Sequence, residues 1–151
     1  MRQMSESDSQ RQHISGQFNQ ELDNATAHLL EMGGLVEKQV AAAVKALLNL
    51  DSGDAQAVAD SDDAINTMEL GIDRECFRIL ARRQPTAGDL RLVLAISKGI
   101  IDLERIGDES GRVARQAIAL SELADECPAR HWAAKMAATV TAMLHAALDA
   151  F

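Results

Sequence analysis

Apolar residues recur at steps of three or four positions over most of this chain, which is the spacing of one face of an α-helix. The first run predicts a helix from about Phe18 to about Leu50, with apolar positions at Phe18, Leu22, Ala25, Leu29, Met32, Val36, Val40, Val44 and Leu47. Gly33 and Gly34 interrupt this helix, and we interpret them as a point of close packing or of a slight bend. Residues 1–12 are polar and lack periodicity, which predicts a disordered tail.

A turn at residues 51–54 separates the first helix from the second, and Asp51 and Ser52 are its candidate N-caps. The second helix is predicted to run unbroken to about Arg83. Its apolar stripe is Val58, Ile65, Met68, Ile72, Cys76, Ile79 and Leu80. Pro85 then ends the helix, because proline cannot continue it.

Thr86 is the predicted N-cap of a third helix, and Asp89 three residues later nearly completes a capping box. The stripe of this helix is Leu92, Ile96, Ile100, Leu103, Ile106, Ser110, Val113 and Ala117. A flanking apolar row at Leu90, Leu94 and Ile101 leads us to expect a well-buried helix.

A break at residues 125–128 precedes a fourth helix, whose apolar positions are Trp132, Met136, Val140, Met143 or Leu144, Ala147 and Phe151. The predicted fold class is all-α: an antiparallel three-helix bundle over residues 13–125, then a fourth helix over residues 126–151. Because the fourth pattern stops at Phe151 without a cap, we expect this chain to be part of a longer protein. The fourth helix could fold back onto the bundle or exchange with another molecule.

Composition limits the class of protein. A length of 151 residues suits one domain, and a formal charge of -8 argues against nucleic-acid binding. The polar N-terminus and the absence of a long apolar run predict no signal peptide and no membrane span. We therefore expect a cytoplasmic protein that reaches membranes only through partners. Cys76 and Cys127 lie far apart and are interpreted as reduced thiols, with Cys76 in the core.

Two pairs of carboxylates carry the candidate chemistry: Glu69 with Asp73, and Glu104 with Asp108. Each pair is four residues apart, so its members point to the same side of a helix. If the chain folds back near Pro85, Glu69 and Glu104 lie at the same height on antiparallel neighbours. Such acids suit hard cations, and the candidates are Mg²⁺, Mn²⁺, Ca²⁺, zinc or iron. Further oxygens are available from Asn66, Asp62, Asp63 and Asp102.

Two other interpretations of these acids stay open. Nearby arginines could neutralise them by ion pairing, the candidates being Arg74, Arg105 and Arg112. Alternatively, the acids form an ordinary solvated helix face on a plain interaction module.

Catalysis has little support in the sequence. The four histidines are scattered, and none follows a glutamate by three positions, as the di-metal helical bundles require. No phosphate-binding loop or nucleophile motif occurs, so we predict that the chain is not an enzyme. The alternative kept open is a metal-dependent enzyme or metal-storage bundle that uses these carboxylates.

Several segments together resemble the PhoU family of bacterial phosphate-transport accessory proteins and phosphate-signalling regulators. They are residues 13–19 (HISGQFN), 32–37 (MGGLVE), 83–87 (RQPTA), 89–93 (DLRLV) and 103–108 (LERIGD). The resemblance covers nearly everything from His13 to Phe151.

The resemblance implies a fold of two tandem three-helix repeats with Glu/Asp-x-x-x-Asp motifs that bind metal clusters. Here those positions are Glu69, Asp73, Glu104 and Asp108. It also implies a homodimeric negative regulator of the phosphate-starvation response, linking the ATPase subunit of the phosphate ABC transporter to a sensor histidine kinase. The second repeat is represented here only by its first helix, so the second metal set is absent.

Overall fold

The computed structural model describes residues 6–122 and 130–151. Over these residues the chain forms five helices: α1 Glu6–Asn49, α2 Ser52–Ala59, α3 Asp62–Arg83, α4 Ala87–Ser121 and α5 Arg130–Asp149. Helices α1, α3 and α4 pack on one another as a bundle, α2 packs on α1 and α4, and α5 lies on α1. The all-α class, with a three-helix bundle followed by a further helix, is confirmed. None of the helices in the described ranges is long and apolar enough to cross a membrane.

The main core lies where the apolar stripes of α1, α3 and α4 meet. Its largest fully buried side chains are Leu29, Met32 and Val36 on α1, Cys76 on α3, and Val93, Ile96 and Ile100 on α4. A second cluster joins α2 to α1 and α4 through small residues, namely Ala43, Ala46, Ala55, Val58, Ala114 and Ala117. Burial of these stripes is the principal stabilising contribution to the bundle.

Helix α1 begins at Glu6, twelve residues before the predicted start at Phe18. Residues 6–12, which were expected to belong to a disordered tail, lie within this helix. The run contains no proline, which would have interrupted the helix. Residues 1–5 of that tail, and the boundary placed between residues 125 and 126, lie outside the described residues.

The predicted second helix is two helices, α2 and α3, separated at Asp60 and Ser61. The Ser61 hydroxyl donates to the Val58 carbonyl at 2.8 Å, and the Gln56 amide donates to the Asp60 carboxylate at 2.9 Å. Short polar side chains compete in this way with the helical backbone and favour a turn. The break lets α2 pack on α1 and α4 while α3 continues along the bundle.

The predicted turns are largely confirmed. Asp51 caps α2, because its carboxylate accepts from the Asp54 amide at 2.9 Å. Helix α3 ends before Pro85, with Gln84 in the left-handed region at φ 47°. Thr86 occupies the N-cap position of α4, but its side chain makes no capping hydrogen bond, so the capping box is not formed. Asp89 instead bonds through its backbone amide to the Thr86 carbonyl.

Helix α5 docks on α1 through a notch at Gly33. A Cβ atom at Gly33 would lie 2.5 Å from Cδ2 of Leu148, so this glycine is a point of close packing. The neighbouring Gly34 has nothing within 4 Å of its Cβ position. His145 of α5 also lies 3.0 Å from the Glu37 carboxylate of α1.

Leu144 of α5, the second of the two positions that the pattern offered, is buried. The rest of the predicted α5 stripe is largely exposed: Trp132, Met136, Val140 and Phe151, together with Met143.

Candidate functional site

The packing of α3 against α4 determines which candidate residues on the two helices lie side by side along the bundle axis. The turn at residues 84–86 makes the two helices antiparallel, and Gly107 of α4 lies against Ile65 of α3. A Cβ atom at Gly107 would be 3.0 Å from Cδ1 of Ile65, so the absence of a side chain there permits the close approach. This contact agrees with the predicted alignment, in which Glu69 lies at the height of Glu104.

All four predicted ligands, Glu69, Asp73, Glu104 and Asp108, are half-buried and lie on the sides of α3 and α4 that are turned away from α1. The α1-facing edge of α3 is marked by Glu75, which lies 3.0 Å from His28 of α1. At about 100° per residue, Glu69 and Asp73 lie about 120° and 160° around α3 from Glu75.

Helix α4 shows the same arrangement. Gly99 marks its α1-facing edge, since a Cβ atom there would lie 3.0 Å from Leu29. Glu104 and Asp108 lie about 140° and 180° around α4 from Gly99. We call the surface strip along which α3 and α4 meet, on the side away from α1, the outer seam. Its acids are Glu69, Asp73, Glu104 and Asp108.

The side chains of the described residues do not form a set of metal ligands in this structure. No three His, Cys, Asp or Glu side chains within residues 16–122 and 132–151 lie close enough together to hold a metal ion. The structure thus places the four acids on one seam without bringing three of them onto one point. The side chain of Asp62, one of the supplementary oxygens, lies outside the described residues.

The sequence offers three arginines that could neutralise the seam acids, and the structure shows ion-pair partners for two of them. Arg105 lies 3.7 Å from Asp102, and Arg112 lies 2.7 Å from Glu109, each on its own helix. Two of the three arginines that the sequence offered therefore pair with exposed acids outside the candidate set.

Cys76 lies next to the seam but does not contribute a thiolate to it. Burial raises the pKa of the Cys76 thiol to about 11, and the nearby carboxylates of Asp73 and Glu75 add to the effect. The thiol therefore stays protonated at neutral pH, as expected for a reduced core cysteine, and is a poor nucleophile or metal ligand.

Two side chains whose polar atoms are buried were not identified from the sequence. Gln39 of α1 is 7% exposed, and its Oε1 lies 3.6 Å from the Cβ position of Gly107. Neither polar atom of the Gln39 amide has a hydrogen-bond partner among the described residues, and nor does the buried Oδ1 of Asn66. The burial of Gln39 could have been predicted from its position, because it lies three residues after Val36 on the apolar stripe of α1.

A charged contact that the sequence did not predict joins the first half of α1 to the end of α3. Arg83 donates from Nε and Nη2 to the two carboxylate oxygens of Glu21 at 2.9 and 2.8 Å. The hydrogen bond from Arg83 is the main cause that lowers the pKa of Glu21. This ion pair with two hydrogen bonds holds α1 and α3 together at one end of the bundle.

One row that was expected to be buried is exposed. Leu90, Leu94 and Ile101 are 37%, 46% and 49% exposed, so the expectation that they bury α4 on a second side is wrong. They lie on the outer-seam side of α4, where the helix turns away from the core.

Comparison with known proteins gives consistent matches. Residues 29–117 match the family model described as the PhoU domain. A Pseudomonas aeruginosa protein described as a phosphate-specific transport system accessory protein PhoU homolog is 56% identical over 144 residues, covering 95% of this chain and 60% of that protein. The Escherichia coli K12 accessory protein PhoU is 51% identical over 106 residues, covering 70% of this chain and 44% of that protein.

Solved structures agree with these matches. The crystal structure of PhoU from Pseudomonas aeruginosa superposes with a TM-score of 0.86 at 56% identity, covering 89% of this chain and 64% of that one. The phosphate transport system regulatory protein PhoU from Streptococcus pneumoniae gives a TM-score of 0.80 at 32% identity, covering 89% of this chain and 62% of that one. The chain spans about 60% of the length of the Pseudomonas aeruginosa relative.

Proposed function

Because this chain belongs to the PhoU family, we propose that it acts as an accessory and regulatory protein of phosphate transport. The observation that carries the proposal is the 56% identity, over 95% of this chain, to a relative described as a phosphate-specific transport system accessory protein. Relatives are named for accessory and regulatory roles, which supports a binding protein and not an enzyme.

The finer role is repression of the phosphate-starvation response. In this role the chain is a cytoplasmic adaptor, active as a homodimer, between the ATPase subunit of the phosphate transporter and the sensor histidine kinase. A rigid bundle with a distinct outer surface suits such a role, because an adaptor needs a fixed scaffold that presents exposed side chains.

Metal binding at the outer seam is the second part of the proposal. Glu69, Asp73, Glu104 and Asp108 supply hard oxygen ligands on two facing helices, which is the donor type that Mg²⁺, Mn²⁺, Ca²⁺ and iron prefer. The orphaned Oδ1 of Asn66 supports the proposal, since a buried carbonyl oxygen without a partner is stabilised by a cation or a water. Rotation of these side chains is required to bring three of them onto one ion.

Metal content tests this part directly. We expect the parent protein, purified without chelator and measured by mass spectrometry, to contain divalent or iron-type metal. The Glu104→Gln/Asp108→Asn variant should lose that metal. The matched control is Glu109→Gln, which removes an acid from the same helix but outside the candidate ligand set. Equal metal content in all three proteins, or none in the parent after loading, would contradict a metal site on the seam.

Repression tests the regulatory part. A phosphate-starvation reporter in a bacterium that lacks its own PhoU should be repressed at high phosphate when this chain is expressed. Full reporter activity, with the chain present and folded, would show that these residues do not suffice for regulation.

A further inference from the structure

A cavity of about 410 Å³ lies between α1 and the break that separates α2 from α3. Much of its wall is apolar and includes Leu35 and Ala42 of α1, Val58 of α2 and Ile65 of α3. Small-molecule sites commonly have this size and combine apolar walls with a few polar groups. None of the four acids of the outer seam lines the cavity, so it is separate from the proposed metal site.

Gln39 is the buried polar side chain of this cavity. It lines the cavity and is only 7% exposed. Neither Nε2 nor Oε1 of its amide has a hydrogen-bond partner among the described residues. A buried amide that lacks both partners destabilises the fold, and a group that supplies them recovers the lost free energy. The cavity therefore contains a donor and an acceptor that a ligand can satisfy.

The amide is turned toward α4 in this structure. Its Oε1 lies 3.6 Å from the Cβ position of Gly107, and Ile65 approaches the same position. Because Ile65 also lines the cavity, the amide lies close behind the cavity wall. The side-chain bonds of glutamine rotate between staggered conformers, and such a rotation can present the amide to the cavity.

The rim of the cavity is cationic, although the chain as a whole has a formal charge of -8. Lys38 is exposed, lines the cavity and forms no ion pair within the described residues. Lys45 also lines the cavity, but its ammonium lies 3.1 Å from the carboxylate of Asp54. That pair is neutral, so Lys38 leaves one positive charge on the rim. A ligand with an anionic group is favoured there.

We propose that this cavity binds a nucleoside monophosphate, with the edge of its base on the amide of Gln39 and its phosphate on Lys38. A glutamine amide presents a donor beside an acceptor, and adenine offers the matching acceptor and donor at N7 and N6. Gln39 and Lys38 are consecutive residues that both line the cavity, so one molecule contacts both. The proposal goes beyond the accessory role and does not depend on it.

Apolar walls distinguish a nucleotide from inorganic phosphate. Phosphate alone would meet Lys38 but would leave the apolar surface of Leu35, Val58 and Ile65 uncovered. A base and its ribose cover that surface and remove it from water, which is a favourable contribution to binding.

Isothermal titration calorimetry of adenosine monophosphate (AMP) into the whole chain tests the proposal. The protein is first stripped of metal on a chelating resin, so that no ion on the outer seam can hold the phosphate. We expect one saturable site, and Gln39→Leu should weaken binding by about tenfold or more. Leucine removes the unpartnered amide from the interior, so this variant should melt at or above the temperature of the parent.

Charge is tested with a second pair of variants. Lys38→Gln should weaken AMP binding by about tenfold and leave the binding of adenosine, which has no phosphate, unchanged. The control is Lys98→Gln, because Lys98 is an exposed lysine of α4 outside the cavity lining. It should leave the affinity for both compounds as in the parent.

Recognition of the base is tested by changing the ligand. Purine riboside 5′-monophosphate lacks the amino group at position 6 and should bind the parent about tenfold more weakly than AMP. Gln39→Leu should bind the two nucleotides equally, because the partner of that amino group is gone. In NMR spectra, the side-chain amide signals that Gln39→Leu removes should shift when AMP is added to the parent.

Three results would overturn the proposal. One is the absence of AMP binding to the parent at about 1 mM. Another is equal affinity of the parent and Gln39→Leu for AMP, which would leave Gln39 to an internal water. The third is binding of inorganic phosphate as tightly as AMP, because the site would then recognise the anion without the base.

Failure of the accessory role would look different. In that case AMP will bind through Gln39 and Lys38, but the chain will not repress the phosphate-starvation reporter. Repression by the parent without AMP binding would leave the accessory role standing and remove the nucleotide site.

Discussion

Helices α3 and α4 each present two apolar faces, of which one is buried and the other is exposed. On the inner face, Ile72, Ile96 and Ile100 are at most 2% exposed. On the outer seam, Phe77 and Ile101 are 66% and 49% exposed. Both faces have helical spacing, so the difference is in what they meet: the inner rows pack on α1, whereas the outer rows remain exposed. We infer that the inner face carries stability, whereas the outer seam carries the proposed metal site.

The largest expected effect contrasts two adjacent isoleucines of α4. Ile100 is 0% exposed and Ile101 is 49% exposed. Ile100→Ala should lower the free energy of unfolding by about 2–5 kcal/mol, because it leaves a cavity in the core. Ile101→Ala should change it by less than about 0.5 kcal/mol. Urea denaturation followed by circular dichroism measures both, and similar losses for the two variants would remove the distinction between the faces.

The close approach of α3 and α4 gives the next largest effect. Gly107→Ala places a methyl group 3.0 Å from Ile65, so we expect a loss of about 1–3 kcal/mol. Gly71 on α3 has nothing within 4 Å of its Cβ position. Gly71→Ala should therefore stabilise the helix by about 0.5–1 kcal/mol. Thermal unfolding of the two variants checks this contrast. If Gly107→Ala also proved stabilising, the packing at this height would be looser than described.

Docking of α5 should be more sensitive to Gly33 than to Gly34. Gly33→Ala displaces Leu148, the end of a flexible side chain, so we expect a loss of about 1 kcal/mol confined to α5. Hydrogen exchange should show faster exchange in α5 with the bundle unchanged. Gly34→Ala, with open space at its Cβ, is the control and should leave exchange in α5 as in the parent. The same exchange rates in both variants would show that the notch does not hold α5.

The smallest effect depends on pH. Since Arg83 lowers the pKa of Glu21 in the folded state, this pair contributes stability above the ordinary glutamate pKa and loses it as pH falls through the lower folded value. Glu21→Gln should therefore lower the melting temperature at pH 7. Its difference from the parent should shrink below about pH 4. A difference that is independent of pH would indicate lost packing instead of a lost ion pair.

Much of the fold could be predicted from helical periodicity, because long helices with many buried positions give an unambiguous pattern. The stripes on α1, α3 and α4, the stop at Pro85 and the burial of Cys76 were all read from spacing and chemistry. The break at Asp60 and Ser61 was missed because it depends on local side-chain hydrogen bonds, which periodicity does not register. The start of α1 was missed because residues 6–12 are polar and carry no apolar stripe.

The candidate site was predictable only in part. Spacing placed Glu69, Asp73, Glu104 and Asp108 on one seam, but it could not show whether their side chains converge. It also assigned Leu90, Leu94 and Ile101 to a buried row, because an exposed apolar row has the same spacing as a buried one. Gln39 is a polar residue that the sequence did not predict to be buried. It is buried because Gly107 of α4 approaches it closely.

The most direct test of the central claim, that the outer seam binds and does not hold the fold, is thermal unfolding with and without added Mn²⁺. The proteins compared are the parent, Glu104→Gln/Asp108→Asn and the control Glu109→Gln. Without metal, the seam variant should be as stable as the parent. With Mn²⁺ at about 100 times its dissociation constant, the parent and control should gain about 2.7 kcal/mol and the seam variant nothing. A seam variant that is destabilised without metal, with no response to Mn²⁺ in any of the three proteins, would contradict the account.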